Sequence, residues 1–251
     1  MKVPFVSVLI LVISVFLYYR LFKSWLFKNS SKIINFPVFS NFKQGYSTQD
    51  LVGISELSLA ALSHVIFCFI LMFILGVYFK DTFPWKFNVS HIIYGVILGL
   101  SELNISSIFC FAFIKFFQKV FPKKVPHNDQ QWQTISRAGW IRHHIKSFEL
   151  LPLYLALPIL IIQVGSEELI FRGIIPSFLL NNGYSYLLAS LVSIVLFVVM
   201  QSFHMPSIHS AVFPMVGGLV MGCCHSLLYY LEPDILPLVI AHVTFFLVVI
   251  I

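Results

Sequence analysis

Charged residues are scarce in this chain of 251 residues. They make up 10% of it, whereas a soluble domain carries about 25% to coat its surface. Hydrophobic residues make up 59%, and 27 of the residues are phenylalanine. The composition therefore excludes a soluble globular protein, and it excludes a disordered or fibrous chain as well. A polytopic membrane protein remains, in which lipid is the solvent for much of the outer surface.

Cysteine is also sparse, and its placement excludes two kinds of site. The four cysteines all lie inside apolar stretches, where they behave as small buried hydrophobes: Cys68, Cys110, Cys223 and Cys224. Neither a disulfide framework nor a CxxC-type zinc site is supported. The net charge of +6 does not indicate nucleic acid, because the basic residues lie between apolar stretches. There they are typical of topology determinants and of contacts with anionic lipid headgroups.

Long uncharged runs predict an all-α helical bundle with about seven transmembrane helices. A crossing helix needs about 20 mainly apolar residues, and lipid tolerates no open sheet edge. The predicted spans are Val3–Tyr19, Leu57–Phe79, His91–Ile114, Leu150–Ser166, roughly 184–204, roughly 211–230, and Ile235–Ile251. The run Leu150–Leu180 is too long for one upright helix. It is either one long tilted helix or a helix followed by a partial one.

Basic residues concentrate in two connections, Arg20–Ser55 and Lys115–Lys146. The positive-inside rule places both connections in the cytoplasm and the N-terminus outside. The stretch 125–147 is expected at the headgroup surface. We expect an integral protein of the cell membrane, with a three-span N-terminal region over residues 1–147 and a functional core over 148–251.

Three ionisable residues, Glu167, Glu168 and Arg172, lie together where lipid is expected. Such a group near the bilayer centre costs roughly 2.5–3.5 kcal/mol on insertion scales, so it indicates function. Glu168 and Arg172 are four residues apart and can pair, whereas Glu167 is rotated by about 100°. One interpretation is a structural ion pair with a spare carboxylate. The other is that Arg172 holds Glu168 while Glu167 faces a polar cavity as a catalytic base.

Two histidines occupy comparable places. His204 closes the fifth predicted helix and His242 lies inside the last one. Each alone is typical of a packed, hydrogen-bonded histidine. Together with the Glu-Glu-x-x-x-Arg cluster, they give three helices that each contribute one proton-handling group. Further candidates to line the cavity are Glu102, Gln201 and Thr244.

This ordered set resembles the CAAX protease and bacteriocin-processing (CPBP, or Abi) family, intramembrane glutamic peptidases that include the Rce1-type CAAX proteases. The resemblance rests on Glu167-Glu168-x-x-x-Arg172, on the histidine that closes the next span and on the histidine in the final span. The segment from Gly217 to Gly222 and the turn before Leu236 are also similar. The resemblance covers roughly residues 148–246.

The resemblance implies an intramembrane endopeptidase, without a cofactor, that hydrolyses a membrane-associated or lipidated peptide or protein. Prenylated CAAX tails and bacteriocin or signalling peptides are substrates in the family. It implies that Glu167 and His204 activate a water and that His242 stabilises the oxyanion. Glu168 and Arg172 then organise these groups.

Two positions depart from the family pattern. Met200 stands where an aromatic residue is usual, and Phe246 stands where the family has asparagine or another small polar residue. Phenylalanine donates no hydrogen bond, and losing one oxyanion donor costs about 100- to 1000-fold in rate. Gln201 and Thr244 are candidate substitutes. The chain is thus either a weaker or narrower peptidase, or a non-catalytic membrane binding or bacteriocin-immunity protein of the same fold.

Other sites and functions are less favoured. A small proton-coupled transporter also carries buried glutamate and histidine, but no half-helix repeat is visible. No His-Glu-x-x-His helix exists, and the Glu–Arg pairing competes for a zinc ligand, so we expect no metal. His225 is interpreted as packing, and His64 has no evident partner in the sequence. The expected partners are the lipid bilayer and a membrane-associated substrate, and no nucleic acid.

Overall fold

The computed structural model describes residues 5–35, 47–82, 86–123, 125–126 and 128–250. Within these ranges the regular structure is helical. The helices are α1 (Phe5–Phe16), α2 (Lys23–Ile33), α3 (Thr48–Leu75), α4 (Phe79–Thr82), α5 (Val89–Val120), α6 (Asp129–Ser136), α7 (Trp140–Leu150), α8 (Leu153–Glu168), α9 (Ile175–Asn181), α10 (Tyr186–Gln201), α11 (Ile208–Leu231) and α12 (Leu236–Ile250). The start of the first predicted span and residues 36–46 of the first basic connection lie outside the described residues.

The described helices confirm an all-α membrane bundle. By length and composition, five of them can cross a membrane: Val6–Lys32, Asp50–Leu75, Val89–Val120, Leu153–Asn181 and Ile208–Leu231. Two shorter apolar helices, Tyr186–Gln201 and Leu236–Val249, bring the set to the predicted seven. The two short helices α6 and α7 fall in the stretch that was expected at the headgroup surface.

The apolar run alone predicted that the first helix ends at Arg20, but the helix continues beyond this residue. It continues from α1 through a π-helical segment, Leu17–Phe22, into α2. Arg20 is exposed and lies over the Phe203 ring, while Lys23 is buried. Long basic side chains place their charge away from lipid while the backbone stays helical. A positive charge therefore ends an apolar run without ending a helix.

The long run after residue 150 forms one continuous helix rather than two. Helix α8 passes through a second π-helical segment, Leu169–Ile174, into α9. This segment begins directly after Glu168 and contains Arg172. A π turn inserts extra backbone into a helix and often lies at a functional site. Here it interrupts the regular α-helical register directly after the carboxylate pair.

Glycines let two pairs of helices approach closely. A Cβ atom at Gly99 of α5 would overlap the carbonyl oxygen of Ala241 in α12. In the Gly218-x-x-x-Gly222 stretch noted in the sequence, a Cβ at Gly222 would lie 3.1 Å from Ile194 of α10. Small residues at such spacing are typical of close membrane-helix contacts. Helix α5 is therefore held against α12, and α11 against α10.

Replacing Gly99 with alanine is expected to destabilise the protein by about 1–3 kcal/mol, because the new methyl group has no space against α12. Gly53→Ala is the matched control, since a Cβ atom there would meet nothing within 4 Å. We expect the control to be neutral or slightly stabilising. Thermal unfolding in detergent micelles measures both variants. Equal melting temperatures for the two would contradict the close α5–α12 contact.

Candidate active site

Glu168 is the centre of a buried polar cluster. Its carboxylate lies 3.3 Å from Nε of Arg172, which confirms the pairing that the four-residue spacing predicted. It also accepts hydrogen bonds from Nδ1 of His225, at 2.9 Å, and from Nδ1 of His242, at 2.7 Å. All four side chains are at most 2% exposed. Helices α8, α11 and α12 and the second π-helical segment thus meet at one carboxylate.

The Arg172 guanidinium has a second contact. It lies 4.4 Å from the centroid of the Phe197 ring of α10, within the range of a cation–π interaction. A buried charge is tolerated only when it is paired and otherwise satisfied. The carboxylate supplies the counter-charge and the aromatic ring a second contact, whereas Nη2 has no hydrogen-bond partner among the described residues.

Glu167 lies on a different face of α8 and contacts His64 of α3. Oε1 of Glu167 lies 3.3 Å from Nε2 of His64. The other ring nitrogen of His64 donates to the carbonyl oxygen of Ala60, at 2.7 Å. Because a carbonyl only accepts, Nδ1 carries a proton, and a favourable Nε2–Oε1 contact then needs a second proton on one of the two atoms. Glu167 and His64 therefore form a close carboxylate–imidazole pair beside the cavity.

Glu167 also lines a narrow cavity of about 30 Å³ that opens at the surface of the bundle. Its wall combines residues from both halves of the chain. The polar members are Tyr19, Lys23, Glu56, His144, Gln163, Glu167, Gln201 and His204. Apolar members include Phe27, Leu57, Val164, Met200 and Phe246. The cavity therefore has room for about one or two water molecules beside these polar groups.

His204 lies in the turn after α10 and lines the same cavity as Glu167. Its backbone φ is 62°, in the left-handed region that non-glycine residues rarely adopt, and such strain often marks a functional site. Nε2 donates to the carbonyl oxygen of Tyr19, at 2.7 Å, and Nδ1 lies 3.4 Å from Oγ of Ser24. The first helix thus fixes the ring.

Burial lowers the pKa of His204, the Tyr19 carbonyl opposes this shift, and the charges of Lys23 and Arg20 add to the lowering. The balance favours the neutral imidazole at neutral pH. With the proton on Nε2, the lone pair is on Nδ1. His204 therefore presents one nitrogen that can accept a proton.

His242 lines an adjoining pocket, and Gln201 and Phe246 belong to the walls of both spaces. The Phe246 ring lies 5.3 Å from the His242 ring and 5.3 Å from the His144 ring. Phe246, at the position of the family asparagine, therefore lies between two imidazole rings and is tilted relative to both. It contributes an apolar wall at this point and no hydrogen-bond donor.

The structure separates the remaining candidates. Gln201 lines the cavity, as expected. Glu102 does not belong to the wall; it is fully buried beside His225, with Oε1 3.2 Å from Nε2. Thr244 packs against Gly99 of α5 instead of the cavity. Both expectations rested on the sequence position alone, which does not fix the direction of a side chain toward a neighbouring helix.

Sequence reasoning missed two charged contacts. His225 is an ion-pair partner of two carboxylates rather than a packing residue, and His64 contacts Glu167. The only signal in the sequence is that each is an ionisable residue inside an uncharged run, where such residues are costly. Their partners lie far away in the chain and become visible only in the fold.

The fold and this cluster define a class: a polytopic α-helical membrane protein with a carboxylate–imidazole site between its helices. The family described as Type II CAAX prenyl endopeptidase Rce1-like matches residues 149–248. The matched segment includes the Glu-Glu-x-x-x-Arg cluster and both motif histidines, and over it the chain is similar to the Rce1-like family of membrane proteases. No curated protein and no solved structure matches the chain.

Proposed function

We propose that the protein is an intramembrane glutamic endopeptidase that hydrolyses a peptide bond with a water activated by Glu167 and His204. The single observation that carries the proposal is that these two residues, from helix α8 and from the turn after α10, line one polar cavity. The Rce1-like match of residues 149–248 supports peptidase chemistry. We assign the peptidase core to residues 148–251, with residues 1–147 supplying the opposite wall.

The proposed reaction begins with a water between Glu167 and the substrate carbonyl. Glu167 takes one proton as the water oxygen bonds to the carbonyl carbon, and Nδ1 of His204 accepts a hydrogen bond from the same water. The tetrahedral intermediate then loses its C–N bond, and the nitrogen takes the proton from Glu167. The contact with His64 holds the Glu167 carboxylate in place during both proton transfers.

An oxyanion in this cavity needs donors other than residue 246. Nδ1 of His242 donates to Glu168, so His242 donates to an oxyanion from Nε2 only as the imidazolium. The side-chain amide of Gln163 lies one helical turn before Glu167 and lines the same cavity. We assign these two groups to the oxyanion, with Gln201 at the boundary of the two spaces.

The proposed substrate is a membrane-associated or lipidated peptide or protein, and the proposed location is the cell membrane. The long apolar helices and the family match support a substrate that reaches the site from the bilayer. The apolar members of the cavity wall, such as Phe27 and Leu57, are compatible with apolar side chains on the substrate.

A non-catalytic membrane binding or immunity protein is the second candidate, and two observations favour it. Phe246 brings no donor to the cavity, and both ring nitrogens of His204 are close to polar atoms of the first helix. In such a protein the cavity binds a peptide without cleaving it. This candidate predicts that replacing Glu167 leaves the cellular phenotype unchanged.

Reconstitution in lipid nanodiscs tests the proposal. The purified protein is incubated with fluorogenic membrane-associated peptides, with and without a prenyl group, and products are identified by mass spectrometry. We expect cleavage by the native chain and loss of cleavage in Glu167→Gln, His204→Ala and His242→Ala. Normal turnover in all three variants would overturn the assignment. Saturable peptide binding without cleavage by the native chain would favour the second candidate.

A further inference from the structure

Alternating carboxylate and imidazole groups run through the buried interior behind the cavity. Oε1 of Glu102 lies 3.2 Å from Nε2 of His225, and Nδ1 of His225 lies 2.9 Å from Oε2 of Glu168. Oε1 of Glu168 then accepts the 2.7 Å hydrogen bond from His242. The four residues come from α5, α11, α8 and α12, and each is at most 1% exposed.

The contacts of His225 determine which atoms of this buried row of side chains carry protons. Both of its ring nitrogens face carboxyl oxygens, and an ionised carboxylate only accepts hydrogen bonds. The bond to Glu168 is well aligned, whereas the contact with Glu102 is an ion pair at hydrogen-bond distance without that alignment. In a neutral imidazole, one ring nitrogen has a lone pair instead of a proton. That lone pair would face a carboxylate oxygen and be repelled by it, and no water reaches this buried site to separate them. The imidazolium removes this conflict, since it carries a proton on both nitrogens.

Glu102 balances the charge that this state requires. Glu168 already pairs with Arg172, so an imidazolium at His225 is a second buried cation. Without a second carboxylate, that cation has no counter-charge, and an uncompensated buried charge is strongly unfavourable. With Glu102 present, the two carboxylates balance the two cations. This explains why the apolar helix α5 carries a fully buried glutamate.

We propose that Glu102 and His225 are positioning residues that act on His242 through Glu168. The charged His225 and Arg172 hold Glu168 from two sides, which fixes its Oε1 in line with Nδ1 of His242. A fixed Nδ1–H bond fixes the orientation of the imidazole, and with it the direction of Nε2. The effect of Glu102 and His225 on the reaction rate rests on the proposed function. The arrangement of protons in the cluster does not depend on it.

Nitrogen-15 NMR of histidine-labelled protein in nanodiscs tests the proton arrangement without turnover. His225→Gln and His242→Gln assign the two signals. We expect two protonated nitrogens on His225, and a hydrogen-bonded proton on Nδ1 of His242. Glu102→Gln is expected to remove the Nε2 proton of His225 and to shift the Nδ1 signal of His242. One unprotonated nitrogen on His225 in the native chain, or an unchanged His242 signal in Glu102→Gln, would overturn the inference.

Kinetics test the coupling to His242. We expect Glu102→Gln and His225→Gln each to lower kcat about 10- to 100-fold with KM unchanged, as for other residues that orient a reacting imidazole. Glu102 and His225 are both proposed to act on His242 through Glu168. The double variant is therefore expected to be no slower than His225→Gln alone. In a His242→Ala background, Glu102→Gln is expected to cause no further loss.

Glu232→Gln and His209→Gln are the matched controls, since both residues lie outside this cluster. Additive losses, or losses that persist without His242, would show a merely structural role and contradict the inference. An inactive native chain with the expected NMR signals would instead count against the peptidase proposal alone. The two failures are therefore distinguishable.

Discussion

Glu167→Gln is expected to lower kcat about 10²- to 10⁴-fold, the range for loss of a general base, while the thermal stability stays near that of the native chain. Glutamine keeps the shape of the side chain and its contact with the cavity but does not accept a proton. The measurement is turnover of one membrane-associated peptide in nanodiscs, together with the melting temperature of the same preparation.

The same substitution at the neighbouring residue, Glu168, is the most informative comparison with Glu167→Gln. Glu168→Gln removes the charge that Arg172, His225 and His242 share, so we expect it to lower both the rate and the melting temperature. Glu232→Gln, at a half-exposed carboxylate near the α11–α12 turn, is expected to change neither. Retained turnover in Glu167→Gln would contradict its role as the base, whatever the behaviour of Glu168.

The sequence predicted the features that depend on local spacing. Apolar runs predicted the seven helices, because the length of a crossing helix is set by the thickness of the bilayer. The pairing of Glu168 with Arg172 followed from helical periodicity, since residues four apart share a face. Both features need only the geometry of a single helix.

Contacts between distant helices could not be predicted in the same way. His64 and Glu167 are about one hundred positions apart, and a single sequence does not show which faces of α3 and α8 meet. Glu102 and Thr244 were expected to line the cavity, but their side chains lie against His225 and Gly99. The direction of a side chain in a bundle depends on helix rotation, which neighbouring helices determine.

The contribution of the first helix was also missed, for a different reason. The motif residues that resemble the family begin at Glu167, so the site was expected within residues 148–251. Tyr19 and Lys23 nevertheless line the cavity, and the carbonyl of Tyr19 holds His204. Tyr19 lies in a π-helical segment, and π turns have no simple periodic signature in sequence.

Arg172→Met is expected to lower the free energy of unfolding by about 3–5 kcal/mol, because it leaves two buried carboxylates, Glu168 and Glu102, with one cation between them. Methionine retains much of the volume and the contact with Phe197 but not the charge. The control is Arg20→Met, at an exposed arginine of the first helix, for which we expect a change within about 0.5 kcal/mol. Denaturant unfolding in mixed micelles measures both.

A second substitution tests whether charge balance is the cause. In Arg172→Met the buried cluster has two carboxylates but only the cation of His225, and adding Glu102→Gln removes the excess negative charge. We therefore expect the double variant to be more stable than Arg172→Met alone, with a coupling free energy of about 0.5–3 kcal/mol. If the two losses simply add, packing of the arginine side chain rather than its charge stabilises the fold. A recovery would mean that Glu102, although remote from Arg172 in sequence, belongs to the same buried charge balance.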